Sequence, residues 1–112
     1  MRPLFSYGTL RPGEYFWPYI KDMVESTATA YVVGKLDRSG PYPDIDLTGE
    51  FRVVGTLLYP VEDTLEEFWH TVDRIEGAPN YYKRYSVKAF VQESARKPWT
   101  PVEAYVYSTK EY

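Results

Sequence analysis

Cysteine is absent from the 112 residues, which removes disulfide frameworks, thiolate metal sites and cysteine nucleophiles together. Histidine occurs once, as His70, so no histidine-rich metal centre can form, and its place amid helical residues reads as an ordinary helix position. Long apolar runs are missing too. Nothing approaches the roughly 18 apolar residues of a membrane span, and the apolar stretch in the opening MRPLFSYGTL is too short for a secretory signal. These absences lead us to expect a soluble, cytoplasmic protein with no membrane partner. Positive charge is not in excess either. Thirteen Lys and Arg are scattered among sixteen Asp and Glu, for a net charge of −3, so there is no basic stripe to bind a phosphate backbone and no nucleic-acid partner is expected.

What is present fits an ordinary globular chain. Hydrophobic residues make up 44% and charged residues 26%, and the length suits one domain over residues 1–112 with one core of its own. The unusual feature is ring surface: twelve Tyr and three Trp within an aromatic content of 18%. Tyr and Trp bury large areas while keeping a hydrogen-bonding group, so they suit a small barrel or a wet pocket equally.

Along the chain, residues 3–7 read as a short strand stopping at Gly8, followed by a loop through Arg11-Pro12-Gly13. Residues 14–24 are compatible with a short helix, in which Pro18 must lie near the start or break it. The β-branched run 27–36 predicts a strand ended by the rigid turn Gly40-Pro41-Tyr42-Pro43, and residues 51–59 predict another, with Gly55 a bulge or close-approach site. Leu65, Phe68, Trp69, Val72 and Ile75 recur at helical spacing over 63–76. Thr64 with Glu67, or equally Asp63 with Glu66, fits a capping box, and Gly77 suits the left-handed position past the end. Alternation over 85–91 and 102–107 predicts two antiparallel strands joined by a surface loop.

Two places invite chemistry. In Tyr7-Gly8-Thr9-Leu10 the glycine can serve backbone geometry alone, or it can let successive N–H groups converge on an anionic oxygen. Glu76 is expected in the last helical turn, where the macrodipole disfavours a carboxylate; solvent exposure or a functional, raised proton affinity would each explain it. Asp73 lies one turn earlier on the same face, and Arg74 and Arg84 are candidate counter-charges.

Taken together, Phe5-Ser6-Tyr7-Gly8-Thr9-Leu10-Arg11-Pro12-Gly13, Gly40-Pro41-Tyr42-Pro43, Val54-Gly55-Thr56-Leu57-Leu58-Tyr59, and Asp73-Arg74-Ile75-Glu76-Gly77 with Tyr82-Lys83-Arg84 fall in the order of the gamma-glutamylcyclotransferase-like proteins. The chain resembles that family, including its AIG2-like and gamma-glutamylamine branches, over roughly residues 4–107. The resemblance implies an α+β fold, a small mixed β-barrel or strongly curved sheet flanked by a few helices, with the site at one mouth. It implies cyclisation of a small gamma-glutamyl compound to 5-oxoproline with release of an amine or amino acid, needing no metal or organic cofactor. Glu76 would be the catalytic acid and base. Tyr7, Gly8, Thr9, Leu10, Tyr42 and Tyr82 would bind substrate, and Asp73 and Arg84 would support the site. The chain stops at Tyr112, soon after the last strand, so a longer C-terminal lid is not expected. Two other readings stand beside the enzyme. One is a non-catalytic module binding a small carboxylate or amine on the same fold; the other is an interaction protein with a large exposed tyrosine patch. The oligomeric state is left open.

Overall fold

A computed structural model of the chain describes residues 2–78 and 80–112. Among the described residues, five strands and one α-helix follow the order β1 (Leu4–Ser6), β2 (Val24–Asp37), β3 (Asp44–Pro60), α1 (Leu65–Glu76), β4 (Lys83–Val91) and β5 (Thr100–Ser108). The strands form a strongly curved sheet in the order β1-β3-β2-β4-β5, and β5 returns to β1 so that the hydrogen bonding closes into a ring. All neighbours are antiparallel except β1 and β5, which run parallel where Leu4 faces Tyr105.

Alternation builds the interior. Ala30 and Val32 of β2, Val53 and Leu57 of β3, Ala89 of β4, and Ala104 and Val106 of β5 point inward around Phe5 and Ile45. A second core lies outside the ring, where Phe68 and Val72 of α1 are fully buried against Leu4, Leu58 and Tyr107, with Leu10 and Ile20 beside them. Burying side chains of this size contributes roughly 1.5–3 kcal/mol each, which is what holds α1 in place.

Gly55 is a close-approach site rather than a bulge. A Cβ there would lie 2.4 Å from the Ser6 carbonyl oxygen and 2.6 Å from Phe5 Cζ. Three expectations are corrected. No α-helix spans 14–24; two 3-10 turns, Trp17–Tyr19 and Lys21–Met23, stand there. Pro18 sits in the first turn, and the Met23 carbonyl accepts from Val61 N–H at 2.8 Å, which draws the chain into the sheet. β3 begins at Asp44, well before residue 51, because its register jumps between Gly34–Phe51 and Lys35–Asp46 pairs, pushing residues 47–50 out of the ladder. The capping boxes are not made. Glu62–Thr64 is a 3-10 turn and Thr64 Oγ1 donates instead to the Val61 carbonyl at 3.2 Å.

Candidate active site

The segment after β1 turns sharply. Arg11 N–H donates to the Gly8 carbonyl at 3.2 Å and Phe16 N–H to the Thr9 carbonyl at 2.8 Å. Among the described residues, the N–H groups of Gly8, Thr9 and Leu10 find no backbone acceptor, so three successive donors remain available. A Cβ on Gly8 would come within 3.2 Å of Pro43 Cγ, so the missing side chain lets the loop of Tyr42 and Pro43 close against this one.

Across from the loop, α1 ends in a Schellman motif. Gly77 has φ 68°, its N–H donates to the Arg74 carbonyl at 3.2 Å, and Ala78 N–H donates to the Asp73 carbonyl at 2.9 Å. This reversal leaves Glu76 as the last helical residue, partly buried on the wall of a cavity of about 190 Å³. Tyr7, Gly8, Thr9, Leu10, Tyr42 and Tyr82 all line the same cavity.

Burial, and then the negative charge of Asp44, push the Glu76 carboxyl up to about 7. Among the described residues, Glu76 is the one Asp or Glu on the cavity wall, and no Lys or Arg lies there. The surrounding phenols are fixed. Tyr7 Oη donates to the Tyr107 carbonyl at 2.6 Å, and Tyr82 Oη donates to the Pro43 carbonyl at 3.0 Å. Burial chiefly raises the phenols of Tyr7, Tyr82 and Tyr107, with Asp44 next for Tyr7, Glu76 for Tyr82, and the hydrogen bond to Asp73 for Tyr107.

Asp73 and Arg84 lie outside the cavity wall. Asp73 accepts from Tyr107 Oη and pairs loosely with Arg84 at 3.8 Å. The Arg84 guanidinium rests on the rings of Trp69 and Tyr105, 4.7 and 5.1 Å from their centroids. His70 is an exposed helix residue. Among the described residues, no three His, Asp or Glu side chains gather as metal ligands, and no helix is long and apolar enough to cross a membrane.

The reading of the sequence missed Phe16, Tyr81 and Tyr107 on the wall and Asp44 behind it. Only Tyr81, beside Tyr82, carried a local signal. The exposed tyrosines do not favour a protein-docking face as a whole. Tyr42 and Tyr81 line the cavity, Tyr19 lies in the first 3-10 turn, Tyr15 in the turn before it, and Tyr112 at the far end of the described chain.

A family model described as gamma-glutamyl cyclotransferase, AIG2-like, matches residues 4–112. A crystal structure of an AIG2-like protein from Mus musculus superposes with a TM-score of 0.75 at 23% identity, covering 100% of this chain and 79% of that one. A solution structure of a protein from Arabidopsis thaliana gives 0.61 at 24% identity, covering 99% and 71%. At these identities the structures establish the fold. No curated protein sequence gives a significant match.

Proposed function

The chain belongs to the gamma-glutamyl cyclotransferase, AIG2-like family, which supports a cyclotransferase-type activity on small gamma-glutamyl compounds, and from that premise we propose the reaction and its residues. The α-amine of a gamma-glutamyl group attacks its own γ-carbonyl carbon. A new C–N bond closes the five-membered ring, the original amide C–N bond breaks, and 5-oxoproline and a free amine or amino acid leave.

An α-ammonium is not nucleophilic, and the departing nitrogen must gain a proton. One carboxylate serves both needs: ionised Glu76 takes one ammonium proton so that the amine can attack, gives it to the leaving nitrogen, and then takes the second proton that the ring nitrogen sheds as the lactam forms, which passes to the departing amine. The observation that carries this reading is the placement of Glu76 on one cavity wall with Gly8, Thr9 and Leu10, whose N–H groups have no backbone acceptor among the described residues; burial there pushes the Glu76 carboxyl up to about 7. A group half-ionised near neutrality both accepts and donates readily. The N–H groups of Gly8, Thr9 and Leu10 hold the substrate carboxylate or the developing oxyanion, where preorganised donors are worth roughly 3–4 kcal/mol. Tyr7, Tyr42 and Tyr82 enclose the glutamyl chain. Asp73 and Arg84 support the site through Tyr107. Because attack is intramolecular, much of the protein's contribution is to fold the substrate into its cyclising shape.

The test is 5-oxoproline formation from a panel of gamma-glutamyl amino acids, gamma-glutamyl-lysine and gamma-glutamyl amines. Glu76→Gln is expected to lower turnover by roughly 10²–10⁴-fold. Equal turnover by the variant would remove Glu76 from the chemistry. Tight binding of 5-oxoproline without product from any substrate would favour a non-catalytic binding module.

A further inference from the structure

Ser6 ends β1 on the wall of the cavity, and only 6% of its surface is exposed. Alternation along this short strand sets its direction. Phe5 and Tyr7 lie with the core inside the ring, whereas Leu4 packs on the other side with Phe68 and Val72 of α1. Ser6 shares the side of Leu4, the side on which α1 ends at Glu76.

Among the described residues the Ser6 hydroxyl has no hydrogen-bond partner, and no side-chain oxygen or nitrogen is both fully enclosed and unpartnered. The hydroxyl therefore opens into the cavity that its residue lines. The buried phenols around it are committed: Tyr7 and Tyr82 donate to the carbonyls of Tyr107 and Pro43, and Tyr107 donates to Asp73. Solvent in the open cavity satisfies a hydroxyl so placed. A ligand that displaces this solvent without replacing its bond leaves the hydroxyl buried and unpaired, which costs affinity. The site therefore favours a ligand that carries a polar group at this depth.

The cavity wall is graded in depth. Ser6, Leu10 and Tyr107 are almost wholly buried, whereas Tyr42 and Tyr81 are 56% and 57% exposed. The part common to every gamma-glutamyl substrate belongs among the first group, and a leaving amine that varies in size belongs beside the second.

We propose that Ser6 is a further substrate-binding residue, whose Oγ hydrogen-bonds the amino-acid head of the gamma-glutamyl group, its α-amino or α-carboxylate end, and not the leaving amine. The proposal rests on the gamma-glutamyl reading given above. A hydroxyl both donates and accepts, so it serves either the carboxylate, together with the N–H groups of Gly8, Thr9 and Leu10, or the amine, together with Glu76.

The test compares the full-length wild type with Ser6→Ala in three measurements: calorimetric binding of 5-oxoproline, kcat/KM for gamma-glutamyl substrates with different leaving amines, and urea denaturation. Ser6→Ala should lower kcat/KM by roughly 5–50-fold, by the same factor for every leaving amine. Its urea midpoint should be unchanged or higher, because the lost hydroxyl had no protein partner. Since 5-oxoproline keeps the carboxylate and lacks the free amine, an equal loss of its binding assigns the contact to the carboxylate, and a loss confined to kcat/KM assigns it to the amine. Unchanged binding and turnover would overturn the proposal. So would a loss that varies with the leaving amine, which would set Ser6 against that group, or a lowered urea midpoint with ligand affinity intact, which would give the hydroxyl a structural role. If the wild type neither binds 5-oxoproline nor releases it from any substrate, the gamma-glutamyl reading falls and this proposal with it; activity retained in full by Ser6→Ala removes Ser6 alone.

Discussion

Glu76 is held where a carboxylate is unwelcome, at the C-terminal end of α1 and partly buried on the cavity wall. That position has a stability cost with a definite pH window. Near pH 4 the carboxyl is protonated in both the folded and the unfolded chain, and its environment costs little. Between about 4.5 and about 7 the unfolded chain has lost a proton that the native state still holds, so stability falls as pH rises. Above pH 7 both states are ionised and the penalty is constant. Glu76→Gln removes it. The variant should be more stable than the wild type at pH 8 by roughly 1–3 kcal/mol and no more stable at pH 4. Thermal unfolding at the two pH values checks this, and a gain of equal size at both would mean that the benefit is not relief of charge burial. Together with the expected loss of turnover, the outcome would mark Glu76 as a residue kept for chemistry at the expense of stability.

At the scale of elements, the end of α1 aims that residue. Gly77 stands in the left-handed region, and a Cβ there would meet Tyr81 Cβ at 3.3 Å. Gly77→Ala should cost about 1 kcal/mol, measured by urea denaturation, and should lower kcat more than it lowers stability, because the reversal that it strains positions Glu76. An unchanged kcat would show that the helix end tolerates the shift. Strongly periodic elements were legible in the sequence: α1 by its three-and-four spacing, β4 and β5 by alternation. The β2–β3 ladder was legible only in part. The start of β3 at Asp44 was not read, because the chain leaves the ladder at residues 47–50, where Asp46 accepts from Thr48 N–H and hydroxyl before the pairing resumes at Phe51. The loop at Tyr7–Leu10 and the Tyr42 turn were found as motifs, and their meeting at Gly8 and Pro43 is a tertiary fact. Asp44 was invisible for the same reason, since its partner Thr109 lies 65 residues away.

The whole molecule closes through thin seams. β1 is only three residues long, and the parallel link to β5 rests on Leu4 facing Tyr105 and on Tyr105 N–H donating to the Pro3 carbonyl at 2.9 Å. Residues 109–112 compensate as a strap joining three other strands. Thr109 holds Asp44 of β3, and Lys110 pairs with Asp37 of β2 while its carbonyl accepts from Tyr85 of β4 at 2.8 Å. Tyr112 Oη accepts from Leu47 N–H at 2.6 Å and donates to the Ile45 carbonyl at 3.2 Å. The exposed Lys110–Asp37 pair adds little; the weight falls on the bonds to buried or partly buried groups. Ending the chain after Ser108 leaves the Asp44 carboxylate without two of its three donors, so the loss exceeds a tally of ordinary hydrogen bonds. That truncation should destabilise by roughly 2–4 kcal/mol, while Tyr112→Phe, which keeps the ring, should cost about 1 kcal/mol. Urea denaturation of both variants separates the two effects. The truncated chain should also bind 5-oxoproline more weakly, because the strap fixes Asp44, Asp44 opens β3, and Pro43 beside it lies on the cavity wall. If the truncated chain were as stable as the wild type and bound as tightly, the ring of strands would be self-sufficient and the strap would have no part in shaping the cavity.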